Sequence, residues 1–418
     1  MTDNPSDKSP KNQLSRRGLL LGAAAGTLGA AGASPAAQAA AAPAEDIVDL
    51  AREYPFYGEA EQAGIRTPPQ RYVFYMTFDL TSSLRRDLQV LLARWSGAIA
   101  QLMKGKTIGQ VEPTRVDSIG FDTGEALDLG PASLTVTVGL GPKVFTDAYG
   151  LAQQRPALFR ELKRLTGDAL KPEYTGGDLS LQACADDPQV AYHAVRDLAR
   201  IAKSTGTAAT RWTVMGFGRA SAGSGQSTPR NLLGFKDGTR NIIDDADFTK
   251  FVWIQDGPAW QHDGTYQIVR KIQIHVENWD TDRASDQNDV IGRHKITGAP
   301  LTGTREHDAP DFQKKDADGN LIISPLAHIR LAAHENNGGI KILRRSYNYT
   351  DGINQAGFLD AGLLFIGYMN DPGHFETLQA RLGASDALNE YISHIGSAIF
   401  FVPPAAEEGS YIGAHMFD

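Results

Sequence analysis

The chain has 418 residues, 41 of them basic and 49 acidic, for a formal net charge of −8, and it contains one cysteine. So acidic a surface offers no basic field for nucleic acid or an anionic membrane, and a lone cysteine excludes an internal disulfide framework, which leaves small-molecule chemistry as the starting class. The length suffices for one large or two ordinary domains stabilised by core burial.

At the N-terminus, Ser15-Arg16-Arg17-Gly18-Leu19-Leu20 opens a short apolar stretch rich in Leu, Ala and Gly, and Ala37-Gln38-Ala39 supplies a small-residue cleavage pattern. The stretch is shorter than the ~20 residues that a bilayer core demands. Residues 1–39 therefore read as a twin-arginine export signal, with a periplasmic or extracellular destination and no membrane span after cleavage. That route carries folded proteins, and a common reason to fold first is a cofactor inserted before export. Its removal deletes more basic than acidic residues, so the mature chain is more acidic still.

Residues 40–70, rich in Ala, Pro and charge, read as an extended N-terminal arm. Residues 71–80 form a strand pattern, and Leu84, Leu88, Leu91, Leu92, Trp95, Ile99 and Leu102 then recur at helical spacing. Strand-like 134–140, a short helix at 142–149 and strand-like 179–185 follow. Asp187-Pro188 is a cap-plus-proline start for a helix reaching about residue 203, and residues 211–218 close the half as a strand. A Gly/Ser-rich joint at 220–227 separates the halves. The second half shows a strand at 266–276, a helix at 280–293 and a long polar loop at 297–320. Strands at 340–349 and 362–369, a helix at 372–382 and a last strand at 397–403 complete it. The β-α-β, β-α-β order occurs twice, so the expected class is α+β: two duplicated ferredoxin-like domains, 71–225 and 226–418, with mainly antiparallel sheets.

Three segments carry chemistry. GFKDGTRN (234–241) holds one carboxylate, Asp237, in a glycine-flanked turn. An apolar run at 321–332 contains His328, and residues 341–349 pair Arg344 with Arg345 in a strand. An aspartate, a histidine and an arginine are the parts a haem peroxidase needs: a base beside the peroxide, an axial iron ligand and a cation for developing negative charge. Each has an ordinary alternative as a turn residue, a core histidine or a surface cation. Of the ten histidines, His193, His262, His307 and His374 lie in polar or helix-surface settings, whereas His328 and His394 both sit in apolar runs and are equal candidates for a ligand. Arg344 and Arg345 are adjacent in a strand pattern, so only one can reach the iron. Cys184 reads as a buried strand residue, with a thiolate iron ligand as the alternative.

Six ordered blocks resemble the dye-decolourising peroxidases, in the exported branch that includes deferrochelatase-type proteins: FYGEAEQAGIRTPPQ (56–70), LTVTVGLGPKVF (134–145), GFKDGTRN, IGRHKITGAPL (291–301), AHIRLA (327–332) and ILRRSYNY (342–349). The resemblance implies one haem b per chain, held in the C-terminal domain, with hydrogen peroxide and bulky organic donors such as dyes and phenols as partners. It implies His328 as proximal ligand, Glu390 as the carboxylate behind it, and Asp237 and Arg344 on the distal side. Gly238, Thr239 and Arg240 follow Asp237 along the haem, and the missing Cβ of Gly238 is expected to let the backbone approach the porphyrin.

One departure stands out. Where exported members carry Asn-Pro-Arg at the haem edge, this chain has Ala333, His334 and Glu335, so Arg240, Arg293 or His334 is expected to meet a propionate instead. Two other classes are a haem-handling protein of the deferrochelatase type, which needs neither Asp237 nor Arg344, and a binding module for a different ligand, which takes up no haem. A second copy of the chain is a partner that the sequence leaves open, as is the Tyr or Trp that relays electrons from bulky donors.

Overall fold

The structure is a computed structural model that describes residues 48–115 and 117–418; the export signal lies outside the described residues. In the first half, β1 (Tyr72–Leu80), α1 (Arg85–Leu102), β2 (Thr135–Leu140), β3 (Leu179–Ala185), α2 (Pro188–Ser204) and β4 (Ala208–Arg219) follow in chain order. Leu88, Leu91, Trp95 and Ile99 of α1 are buried, as the 3.6-residue spacing requires. The Trp95 indole donates to the Leu198 carbonyl of α2 at 2.8 Å. The Asp187 carboxylate accepts the Gln189 and Val190 N–H groups, so the expected cap and proline start are both in place. The expected short helix at 142–149 is two 3-10 turns, Pro142–Val144 and Asp147–Tyr149.

The second half contains α3 (Asp245–Phe251), β5 (Thr265–Ile274), α4 (Val276–Asp280), α5 (Ala284–Ile291), α6 (His328–Ala332), β6 (Leu343–Arg344), β7 (Tyr347–Ile353), β8 (Leu359–Met369), α7 (Pro372–Ser385) and β9 (Ile392–Val402). Two expected elements are broken. The helix at 280–293 is the pair α4 and α5, with Asp282 between them accepting the Tyr391 hydroxyl. The strand at 340–349 is interrupted at Arg345 and Ser346, where the Ser346 carbonyl turns to the Ala220 N–H at 2.8 Å.

Strand order in the first half is β2-β3-β1-β4 and in the second β9-β5-β8-β7, antiparallel throughout. The two runs are not separate sheets. They join at β4–β7 and, through the single pair Leu140↔Phe401, at β2–β9, which closes an eight-strand ring with β6 added against β8. Gly216 makes the first junction: a Cβ there meets Val73 Cγ1 at 2.6 Å and Tyr347 Cβ at 2.7 Å.

Among its described residues, 48–70, the arm has no helix or strand of its own, yet it is bonded to both halves. Gln62 donates to the Val138 and Pro403 carbonyls and accepts the Val138 N–H. Among the described residues no helix is long and apolar enough to cross a membrane.

Candidate active site

The turn at 234–241 is built by its two asparagines. Asn231 caps it, accepting the Leu233 and Phe235 N–H groups. The Asp237 N–H donates to the Pro229 carbonyl at 2.9 Å, so the carboxylate is left to side chains. Its Oδ1 accepts Arg344 Nη1 at 2.9 Å and its Oδ2 accepts Asn231 Nδ2 at 3.1 Å. Asn241, at the other end, grips the backbone of the same arginine: Asn241 Oδ1 accepts the Arg344 N–H and its Nδ2 donates to the Arg344 carbonyl, both at 2.8 Å. One eight-residue motif thus presents the carboxylate and fixes the strand that carries its cation.

Gly238 has φ +104°, and a Cβ there meets Ala222 N at 2.9 Å and Ser221 Cα at 3.0 Å. The close approach that demands glycine is therefore to the backbone at 221–222 rather than to the cavity. At the end of β6 the adjacent arginines point apart. Arg344 lines the cavity, whereas Arg345, 1 % exposed, donates to the Thr67 carbonyl and Gln70 Oε1 in the interior.

His328 opens α6, and its Nδ1 donates to Asp386 Oδ2 at 2.6 Å. Asp386 is itself held, its Oδ1 accepting the Leu388 N–H at 2.9 Å. Burial works against a charged His328 ring, but the Asp386 carboxylate outweighs it and the net effect raises the pKa. The partner is thus Asp386; Glu390, expected in that role, is exposed to solvent. The resemblance implied the wrong carboxylate, and Asp386, between α7 and the next turn, looks from sequence like a helix-end residue. His394, the rival candidate, pairs with no carboxylate. Its Nε2 lies 3.3 Å from Gln379 Nε2, its Nδ1 has no partner among the described residues, and burial followed by the nearby Arg270 pushes its pKa down to about 4. Cys184 is fully buried in β3 and does not line the cavity.

His328, Asp237 and Arg344 share one cavity of about 470 Å³, walled by Ile274, Leu363, Phe365, Phe375 and Leu382 among others. The His328 side chain is 34 % accessible although it sits deep in the protein, because its open face is the cavity. With Nδ1 committed to Asp386, Nε2 is the nitrogen left for a metal. The cationic wall fits the anionic edge of a haem. Arg293, 5 % exposed, is held by the Gly298 and Glu306 carbonyls at 2.6 and 2.9 Å, and burial plus the neighbouring Arg240 and Arg344 lower its pKa. Arg344 is paired with Asp237 and Arg240 with Glu335, whereas Arg293 is held by backbone carbonyls, so its charge is the one best placed to be relieved by an anionic guest. Imidazole, apolar walls and crowded cations together match what haem requires.

The departure at 333–335 has a structural consequence. Ala333 and His334 line the cavity, but Glu335 does not; it binds Arg240 bidentately at 2.7 and 3.0 Å, so it clasps a cation instead of facing the guest. Burial lowers the His334 pKa more than the adjacent Glu335 raises it. Thr239 Oγ1 donates to Glu306 Oε1 at 3.2 Å, and Lys236 pairs with the same carboxylate, tying the motif to the long loop. Asp386, Asn231 and Asn241 are the site residues that the sequence reading passed over; asparagines flanking a D-G turn were the available signal for two of them.

Comparison with known proteins gives a single direction. The family models for the N-terminal and C-terminal parts of Dyp-type peroxidases match residues 62–218 and 228–407. A deferrochelatase of Escherichia coli O157:H7 is 38 % identical over 425 residues, covering 98 % of each chain. A DyP-type peroxidase from Streptomyces coelicolor superposes with a TM-score of 0.80 at 38 % identity, over 88 % of this chain and 97 % of that one. One from Cellulomonas bogoriensis gives 0.77 at 38 % identity, over 90 % and 100 %.

Proposed function

The chain belongs to the Dyp-type peroxidase family, haem-binding oxidoreductases that act on peroxide, and from that premise we propose that Asp237, Arg344 and His328 carry the chemistry here. The observation that supports this most is the Asp237–Arg344 ion pair, 2.9 Å long, on the same cavity as a histidine whose Nδ1 is committed to Asp386.

His328, through Nε2, is the residue that holds the haem iron, and Asp386 keeps its ring oriented and electron-rich. Arg293, Arg240 and His334, which line the cavity, would be the residues to meet the haem carboxylates. Haem, when bound, supplies the redox chemistry, taking two oxidising equivalents from hydrogen peroxide and passing them to organic donors such as dyes and phenols one at a time. The chain's own part is proton handling. Asp237 accepts a proton from one peroxide oxygen and delivers it to the departing one, a role worth typically 10²–10⁴ in rate. Arg344 holds Asp237 in place and sets positive charge where negative charge develops. The test is Asp237→Asn, which keeps the shape and removes the base: its first reaction with hydrogen peroxide, followed by stopped-flow absorbance, slows at least 100-fold while the haem spectrum is retained. An unchanged rate overturns the assignment.

The name of the Escherichia coli relative favours a second reading, release of iron from haem. It predicts iron-free porphyrin, detected by fluorescence, after incubation with haem and a reductant, with Asp237 dispensable. The same reading of the whole chain takes 71–225 and 226–418 as duplicated ferredoxin-like units, supported by their matching strand orders. It takes residues 1–39 as the export signal; Arg16→Lys with Arg17→Lys then leaves the unprocessed chain in the cytoplasm.

A further inference from the structure

Histidine 193, assigned from sequence to a helix surface, is buried, with 4 % of its surface exposed. It lies on the inner face of α2, one turn before Asp197, which is fully buried, and opposite Asp122 of the segment that follows α1, 3 % exposed. Its Nδ1 is engaged outward: Glu125 Oε2 stands 3.1 Å away and Thr123 Oγ1 3.4 Å. Its Nε2 points the other way, 3.6 Å from Asp122 Oδ2 and 3.7 Å from Asp197 Oδ2, both beyond hydrogen-bonding range. A buried ring nitrogen without a hydrogen-bond partner among the described residues is thus aimed between two buried carboxylate oxygens.

The three atoms lie within 4.8 Å of one another. An ion equidistant from all three sits roughly 2.0–2.4 Å from each, the length of a first-row metal bond to nitrogen or carboxylate oxygen. We propose that Nε2 of His193, Oδ2 of Asp122 and Oδ2 of Asp197 form a binding site for one divalent first-row transition cation, Zn²⁺ or Mn²⁺ in chemistry, separate from the haem cavity. None of the three residues lines that cavity.

The rest of the cluster is arranged as such a site requires. Behind Nδ1, Thr123 Oγ1 lies within hydrogen-bond distance and the Glu125 carboxylate adds negative charge, which leaves Nε2 as the donor toward a metal. Glu125 is in turn held by Arg196 at 2.8 Å, and despite burial its pKa falls to about 2 through Thr123, Arg196 and His193. Asp122 has one oxygen on the Gly124 N–H at 2.8 Å and the other, the candidate ligand, shared with the Ile108 N–H at 2.9 Å. Asp197 offers Oδ1 to Arg200 at 3.1 Å, and its Oδ2, the candidate ligand, also accepts the Thr123 N–H at 3.4 Å. Burial and the charge of Asp122 raise the Asp197 pKa, a repulsion that a cation removes. One imidazole with two carboxylates suits borderline divalent ions better than Ca²⁺, which takes six to eight oxygens. The ion would fasten the long segment at 103–134, which has no helix or strand among its described residues, to α2.

The alternative is an imidazolium clasped by the carboxylates with no metal. Metal analysis of the haem-loaded protein separates the two. After stripping with a chelator and dialysis against Zn²⁺ or Mn²⁺, wild type retains about one equivalent beyond the haem iron, and its thermal midpoint rises by roughly 3–5 °C at a hundredfold excess over Kd. Asp197→Asn and His193→Gln lose both the ion and the shift while the haem spectrum is unchanged. Wild type that retains no added cation overturns the proposal whether or not the variants fold, as do variants that retain as much as wild type.

Discussion

Two histidines of the second half border the same cavity, His328 at the start of α6 and His394 near the start of β9. Both lie in apolar runs, and residue context alone prefers neither. The difference between them is a carboxylate. His328 has Asp386 at 2.6 Å and a raised pKa; His394 has an amide neighbour and no carboxylate bonded to its ring, and burial followed by the Arg270 guanidinium outweighs the more distant Asp168 and pushes its pKa down to about 4. Burial makes a histidine neutral, but an anionic partner makes it a directed donor, with one nitrogen committed and the other electron-rich.

The largest expected effect breaks the comparison outright. His328→Ala loses stoichiometric haem, measured as Soret absorbance per chain, while His394→Gln keeps it; full occupancy in the first variant would falsify the ligand assignment and return His394 to candidacy. Next comes the arginine pair. Arg344→Leu slows the first reaction with hydrogen peroxide by about 10²–10³ with haem retained. Arg345→Leu leaves that rate within a few-fold but lowers unfolding stability by roughly 2–3 kcal/mol, because the Thr67 carbonyl and Gln70 lose a buried donor. A reversed order means that the cavity-facing arginine has been misassigned.

His394 gives the third expectation. In the unfolded chain it takes up a proton below its ordinary value near 6.5, but folded it resists protonation down to about 4. Stability therefore falls as pH drops through 6.5 to 4 and is constant below, a loss of about 3 kcal/mol. His394→Gln removes that part of the slope in urea melts at pH 7 and pH 4.5; an identical slope in both proteins is incompatible with a buried neutral ring. The smallest effect sharpens the comparison. Asp386→Asn retains haem but yields it 10–100 times faster to an excess of haem-free myoglobin, whereas Glu390→Gln changes nothing in that assay.

What could be read from the sequence follows the reach of local physics. The helical spacing of Leu88 to Leu102 and the Asp187-Pro188 cap each report on a few neighbouring residues, and α1 and α2 stand where those signals put them. The D-G turn is equally local. What failed was long-range. Asp386 lies 58 residues from His328, and its role depends on how α7 ends beside α6. His193 reads from sequence as a helix-surface residue, yet the segment after α1 folds over it and buries it. The break of the strand at 340–349 is imposed by residues 220–221, which no periodicity within the strand announces. Helix α3, with Asp244 as cap and acidic residues in its first turn, was local enough to find and was passed over inside a charged stretch.

The closed strand ring has a bearing on how the protein is made. Its last seam joins residue 140 to residue 401, so β2 must wait with an unpaired edge until almost the entire chain has been synthesised. Such a late closure is slow to find, and an open strand edge invites pairing with other chains. A polypeptide stopped before β9 therefore cannot hide its edges, whatever the quality of its first half. Completion of synthesis becomes a condition for solubility, and the ring acts as a check on the integrity of the C-terminus: chains truncated at residue 390 are expected to accumulate as aggregates rather than as a folded first half.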